Sequence, residues 1–278
     1  MVVVCESPFN GPVFRERIVL KNIYLGLDLD IAHKNVVALN DIYEHPGRLT
    51  QVYQMKISSN IHLIREASGC NIYLLESDDL ILIDTGTPGN LEVVESYVEG
   101  LDREIQELSS VLLTHSHLDH VSSAPEIRSK TGTKIIAHRL DSRYLSGERK
   151  RGMLMRIGDL LSRKPNFDVD NFAEDGDEIE GFKIIHTPGH TEGSLSFYYE
   201  KERALFVGDG IRSDGKFPFG KRGNLSLSPA FFSESVSEME NSVKKIINEV
   251  EPDLLLPGHG PPVSREIDRK IKELIQGF

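Results

Sequence analysis

The stretch VLLTHSHLDH, residues 111–120, sets an apolar run directly against three histidines and an aspartate. A short apolar run bounded by polar residues reads as a buried strand. The same arrangement recurs along the chain. Asp209 follows ALFVG, His259 follows DLLLPG, and His190 sits in the loop after FKIIH. If these runs are strands of neighbouring sheets, the fold must gather His115, His190, Asp209 and His259 at one sheet edge. Within T-H-S-H, His115 and His117 are two residues apart, so an extended backbone points both imidazoles the same way, and one metal ion can be gripped by both. Asp119 and His120 come at the turn into the next helix, where the change of direction aims them at a second point close to the first. Neutral imidazole nitrogens combined with carboxylate oxygens suit zinc, and also iron or manganese. One short motif thus seeds two metal positions.

The rest of the chain supports a layered α and β structure with sheets inside and helices outside. NIHLIREA, CNIYLLES and DLILIDTG read as strands of an antiparallel meander. NLEVVESYVEGL reads as a helix capped by Asn90, SSVLLTH as a buried strand, SAPEIRSKTG as a helix and KIIAH as a strand. FKIIHTPGH, GSLSFYYE and ALFVGDG are three more strands, SESVSEMENSVKKIINEVE is a long amphipathic helix, DLLLPGHG is a last strand and SREIDRKIKELIQGF closes as a helix. The chain, 278 residues long, carries no internal repeat. We expect a single domain over 1–278, with 1–52 an N-terminal extension of unassigned role and 53–278 the regular region.

Composition removes several function classes. A formal charge of −11 argues against a surface built to neutralise phosphates, so no nucleic-acid partner is expected. No apolar run is long enough for a membrane span and the first residues do not form an export signal, which makes a cytoplasmic protein without membrane attachment the expectation. Cys5 and Cys70 are the two cysteines and neither lies in a C-x-x-C spacing, so a disulfide framework or thiolate zinc site is not indicated. Cys70 opens a strand and reads as a small buried hydrophobe. Of the other histidines, His33, His45 and His62 fall outside any ligand spacing and read as surface or turn residues, whereas His138 and His186, at strand ends, read as core or supporting histidines.

The sequence T-H-S-H-L-D-H, followed by H-T-P-G-H-T at 186–191, V-G-D-G at 207–210 and P-G-H-G at 257–260, with I-D-T-G at 83–86 before them, resembles the metallo-β-lactamase fold superfamily. The motifs cover about residues 55–265 and occur in the family's order. The resemblance implies an α+β fold, a four-layer αββα sandwich with mixed β-sheets inside and a metal site at one edge. It implies two divalent metal ions, zinc foremost with iron or manganese as alternatives. His115, His117 and His190 would hold the first, Asp119, His120 and His259 the second, and Asp209 would bridge them. Asp84 would be a carboxylate that orients a ligand histidine.

Two divalent ions, two carboxylates and a bridging hydroxide leave such a site at about +1, so a small-molecule substrate carrying an anionic group is favoured. The expected reaction is hydrolysis of an ester, lactone or thioester by the bridging hydroxide, with Asp119 moving the proton. The alternative is a mononuclear iron dioxygenase acting on a persulfide-type substrate; a metal-stabilised binding protein is a more distant one. Glyoxalase II itself fits poorly, because its helical C-terminal domain and its Gly-Cys-Gly-Arg stretch have no counterpart in this chain. Two segments bear on the substrate. Phe217 and Phe219, with Phe231 and Phe232, flank a Gly-, Ser- and Pro-rich loop after Asp209 and could wall a pocket or anchor the loop. GERKRGMLMRIGDLLSRK, residues 147–164, reads as a surface helix, with a lid or homodimer contact as the sharper possibility.

Overall fold

Runs rich in Ile, Leu and Tyr open the described chain as an antiparallel meander: β1 Met55–Lys56, β2 Ile61–Ile64, β3 Ile72–Glu76 and β4 Leu80–Ile83. The structure is a computed structural model and describes residues 55–149, 166–214 and 223–277. The expected N-terminal extension 1–52, most of the basic segment 147–164, and Phe217 and Phe219 lie outside the described residues.

After β4 the connections change character. Helix α1, Leu91–Glu99, carries the chain back so that β5, Leu108–Leu112, joins β4 in parallel, as a crossover connection requires. Then come α2 Leu118–Val121, α3 Ala124–Thr131, β6 Lys134–Ala137, α4 Arg139–Leu145 and β7 Asn171–Phe172, the last two strands again parallel to their predecessors. The first sheet thus runs β1 to β7 in sequence order. The second contains β8 Glu178–Ile179, β9 Phe182–His186, β10 Leu195–Tyr199 and β11 Ala204–Gly208, antiparallel in succession. A small ribbon of β12 Ile211–Arg212 and β13 Ser226–Leu227 follows, then α5 Val236–Glu249, β14 Leu254–Pro257 parallel to β11, and α6 Ile267–Gln276.

Strand periodicity sorts the core into three slabs, and those slabs define the four layers. In β3, Ile72 and Leu74 face α1 and α3, while Tyr73 and Leu75 face the second sheet. In β11, Ala204 and Phe206 point into the space between the sheets, and Leu205 and Val207 lie under α5 and α6. The central slab, with Phe182, Phe197 and Phe206 buried between the sheets, belongs to neither helical layer. Burying each such side chain is worth about 1.5–3 kcal/mol. The expected αββα sandwich is therefore the fold observed.

Two local expectations are corrected. Asn90 does stand at the N-cap of α1, but its side chain does not cap the helix. It donates to the carbonyls of Ser68 and Thr85 and accepts from Ser68 N, tying the 68–69 turn to the segment after β4. His62 is not a surface residue. It lies on β2, 1% exposed, with Nδ1 at 3.2 Å from Tyr97 Oη and Nε2 at 2.9 Å from Glu76. Its place on the strand faces α1, whose Tyr97 hydroxyl, with the Glu76 carboxylate at the end of β3, satisfies both ring nitrogens.

Candidate metal centre

Parallel neighbours end at the same edge, and that geometry assembles the site. β4 and β5 run in parallel, as do β11 and β14, and Asp84, His115, Asp209 and His259 follow their respective carboxyl ends. His117 is the extended N-cap of α2, and Asp119 and His120 lie in its first turn. His190 comes from the loop after β9. The structure therefore brings together all seven residues read from the sequence as metal-holding candidates.

They form overlapping groups whose donor atoms lie within 4.8 Å of one another: His115, His117 and His190; His115, His120 and Asp209; and Asp119, His120 and His259. His117 Nδ1 is 2.8 Å from His190 Nε2, and Asp119 Oδ2 is 3.2 Å from His259 Nε2. Asp209 stands between the histidine groups. Its Oδ1 is 3.3 Å from His120 Nε2, while its Oδ2 is 3.4 Å from His259 Nε2 and 3.8 Å from His190 Nε2.

Hydrogen bonds around the site orient the ring nitrogens. Asp84 Oδ1 accepts from Thr114 N, and its Oδ2 accepts from Thr114 Oγ1 and from His120 Nδ1, each at 2.8 Å. Because the Thr114 hydroxyl donates its proton to Asp84, it must accept from His115 Nδ1, 3.0 Å away. One carboxylate thus turns the Nε2 lone pairs of His115 and His120 inward. Ser233 Oγ does the same for His190: it donates to Pro229 O and accepts from His190 Nδ1.

Burial first, and then the neighbouring histidines, hold His115 well below the usual imidazole range. Burial likewise lowers His190, to about 4. Burial opposes a charge on His120, but the carboxylates of Asp84, Asp209 and Asp119 around it outweigh that and raise it. For Asp119 and Asp209 burial favours the neutral acid, yet His120 and His259 hold both carboxyls below their ordinary range. Cys70 also approaches Asp84 and His120. Burial pushes its thiol up to about 11, so it packs as a neutral group, as the sequence suggested.

The donor set fits a metal. His115 Nε2, His120 Nε2 and Asp209 Oδ1 are buried and have no hydrogen-bond partner among the described residues. Leaving such groups unsatisfied costs about 1–3 kcal/mol each, and an ion shared among them removes the cost. Gly258 makes the close packing feasible. A Cβ there would lie 2.5 Å from Asp209 Oδ1 and 2.6 Å from His120 Cε1.

The structure also shows residues that sequence reasoning missed. Asp141, wholly buried on α4, accepts from Ser116 N, Thr191 Oγ1 and Gly193 N. Asn71 Nδ2 donates to Pro257 O and Gly260 O, and Tyr73 Oη to Pro257 O, holding the loop of His259. Arg212 is locked by Asp214 and points Nη1 at Asp209 Oδ2, 3.4 Å away. None has a spacing that marks it; only Arg212, three residues after Asp209, and Thr114, next to His115, had a signal in proximity to a motif. His138 and His186 stack at 4.2 Å and bond Glu174 and Glu192 O, outside the metal-capable groups.

Layers, strand order and a histidine- and aspartate-rich edge of this kind define a class of metal-binding αββα proteins. The family model described as the metallo-β-lactamase superfamily matches residues 65–259, and the chain belongs to that superfamily. Among relatives, it is 32% identical over 198 residues to the probable metallo-hydrolase MJ0888 of Methanocaldococcus jannaschii, covering 68% of this chain and 87% of the relative. It is 26% identical over 216 residues to the probable metallo-hydrolase YflN of Bacillus subtilis, covering 70% and 81%. Among solved structures, the metallo-β-lactamase family protein TTHA1429 from Thermus thermophilus superposes with a TM-score of 0.59 at 18% identity, covering 80% of each chain. TTHA1623 in a di-iron-bound form gives 0.52 at 23% identity, covering 73% of this chain and 93% of that one.

Proposed function

We propose that this protein is a metal-dependent hydrolase that cleaves an ester, lactone or thioester bond of a small molecule bearing an anionic group. The observation that carries this reading is the set of buried, unpartnered donor atoms on His115, His120 and Asp209, set among further His and Asp donors on both sides. In it, His115, His117 and His190 hold one divalent ion, Asp119, His120 and His259 hold a second, and Asp209 lies between. Zinc is the first choice for such nitrogen and oxygen donors, with iron and manganese also suited. Bound there, the ions would supply water activated at neutral pH and a Lewis acid for the scissile carbonyl.

The residues do the rest. Asp84 keeps His115 and His120 in the tautomer with Nε2 free. The side chain of Asp119 is 42% exposed, so its carboxylate can take a proton from the attacking water and hand it to the leaving group. Arg212, its fork bound to Asp214, aims Nη1 at Asp209 and holds that carboxylate in place. Phe231 and Phe232, exposed and tilted against each other with ring centroids 4.0 Å apart, precede the Ser233 that bonds His190, and offer an apolar surface for an acyl or aromatic portion.

Elemental analysis of protein purified without added metal, followed by an assay with lactones and thioesters, tests the proposal. About two ions per chain with hydrolysis of such substrates, and loss of turnover in Asp119→Ala, is the expected result; full turnover by Asp119→Ala with both ions bound would overturn its role in moving the proton. One iron per chain and no hydrolysis would overturn the proposal.

A further inference from the structure

Asp141 has no part in the chemistry just described, yet it occupies an unusual position. Its carboxylate is wholly buried, on a helix that supplies no metal-holding candidate, and both oxygens are filled by donors from two separate loops. Oδ2 accepts from Ser116 N at 2.7 Å and from Thr191 Oγ1 at 2.8 Å; Oδ1 accepts from Gly193 N at 3.0 Å. Ser116 is the residue between His115 and His117, and Thr191 follows His190. Other ties between the two loops among the described residues include the ring contacts of His115 and His117 with His190 and the main-chain bond from Leu195 N to Thr114 O, at the base of the strands. The fit is close: a Cβ on Gly193 would lie 2.7 Å from Asp141.

We propose that Asp141 is the positioning residue of the three-histidine half of the centre, a buried carboxylate that bolts the His115–His117 segment to the His190 loop so that the three imidazoles converge. This rests on the reading that those histidines hold a metal. A carboxylate is suited to the task because it has acceptor capacity on both oxygens and no donor. An amide of the same shape would turn an N–H toward Gly193 N on one side or toward Ser116 N on the other. Asparagine therefore keeps the volume but sets a donor against Gly193 N or against Ser116 N, so at least one bond of the bridge is lost. The second position, built from Asp119, His120 and His259, depends on Asp84 and the 257–260 loop and should not feel the change.

The test is titration of metal-free protein with cobalt(II), following the visible spectrum and the affinity of each position. His117→Ala identifies the signal of the three-histidine position. Asp141→Asn should weaken that position about 10–100-fold and alter its spectrum, as loss of supporting partners typically does, while the second position stays within about twofold of wild type. Thr191→Val retains the carboxylate and both its N–H bonds, so it folds more readily and should weaken the same position by a smaller factor. Unaltered cobalt affinity and spectrum in a folded Asp141→Asn, or in Thr191→Val where Asp141→Asn does not fold, would overturn the proposal. If His117→Ala removes no cobalt signal at all, the underlying metal assignment fails instead.

Discussion

Replacing Gly258 by alanine adds one methyl group and should remove one metal ion. The backbone angle at this glycine is not in the left-handed region, so the substitution carries no conformational penalty of its own. The penalty is steric. The new Cβ would sit 2.5 Å from Asp209 Oδ1 and 2.6 Å from His120 Cε1, and reaching the 3.4 Å of ordinary contact takes about 0.9 Å of movement. Metal–ligand distances tolerate roughly 0.2 Å. His120 cannot yield, being fully buried and held at Nδ1 by Asp84, and Asp209 is 6% exposed. If the 257–260 loop moves instead, it carries His259 with it. Each route disturbs the group of Asp119, His120 and His259, and leaves the ring contacts among His115, His117 and His190 in place. On the proposed two-ion reading, elemental analysis of Gly258→Ala should therefore give about one ion per chain against about two in wild type, with the lost site at least tenfold weaker, about 1.4 kcal/mol. Two ions bound at wild-type affinity by a folded variant would refute the steric reasoning.

Asp84→Asn should leave His120 facing an amide N–H, favour the tautomer with its proton on Nε2, and weaken metal binding about 10–100-fold; isothermal titration would measure it. Chelation should lower the melting temperature by exposing the cost of the unpartnered buried atoms, and restoring metal at 100 times its dissociation constant should return about 2.7 kcal/mol, read from urea unfolding with and without zinc. The pKa of His62 is lowered by burial, so the unfolded chain takes up a proton at higher pH than the folded one does. Its contribution is present above its ordinary value of 6.5 and is lost as pH falls below that toward the depressed folded value. In His62→Gln, which cannot titrate, metal-free protein should therefore lose less stability than wild type between about pH 7 and pH 5; equal losses in denaturant unfolding at the two pH values would show that His62 does not titrate as argued.

Much of the candidate site was legible in the sequence because its spacing is short. His115, His117, Asp119 and His120 lie within six residues, and each of the more distant partners follows an apolar strand. What could not be read is the support behind them. Asp141 reaches Ser116 across 25 positions and Gly193 across 52, and Asn71 reaches Gly260 across 189. No local pattern encodes such contacts. His62 was misjudged for a related reason. Its neighbours on β2 are all apolar, and only the packing of α1 onto that strand supplies Tyr97 to satisfy a buried imidazole.

The sequence by itself determined the elements, through short apolar runs for the strands and the 3.6-residue period in α5 and α6, and the identity of the metal-capable donors, through their places at strand ends. Tertiary structure decided what those donors can do. Pairing β4 with β5, and β11 with β14, in parallel brings four strand ends to one edge, and closing two sheets over a shared slab of Phe182, Phe197 and Phe206 sets those edges side by side. Directed interactions act only over a few ångströms, so convergence of groups as far apart in the chain as Asp84 and His259 is a property of the packed layers and of no single segment.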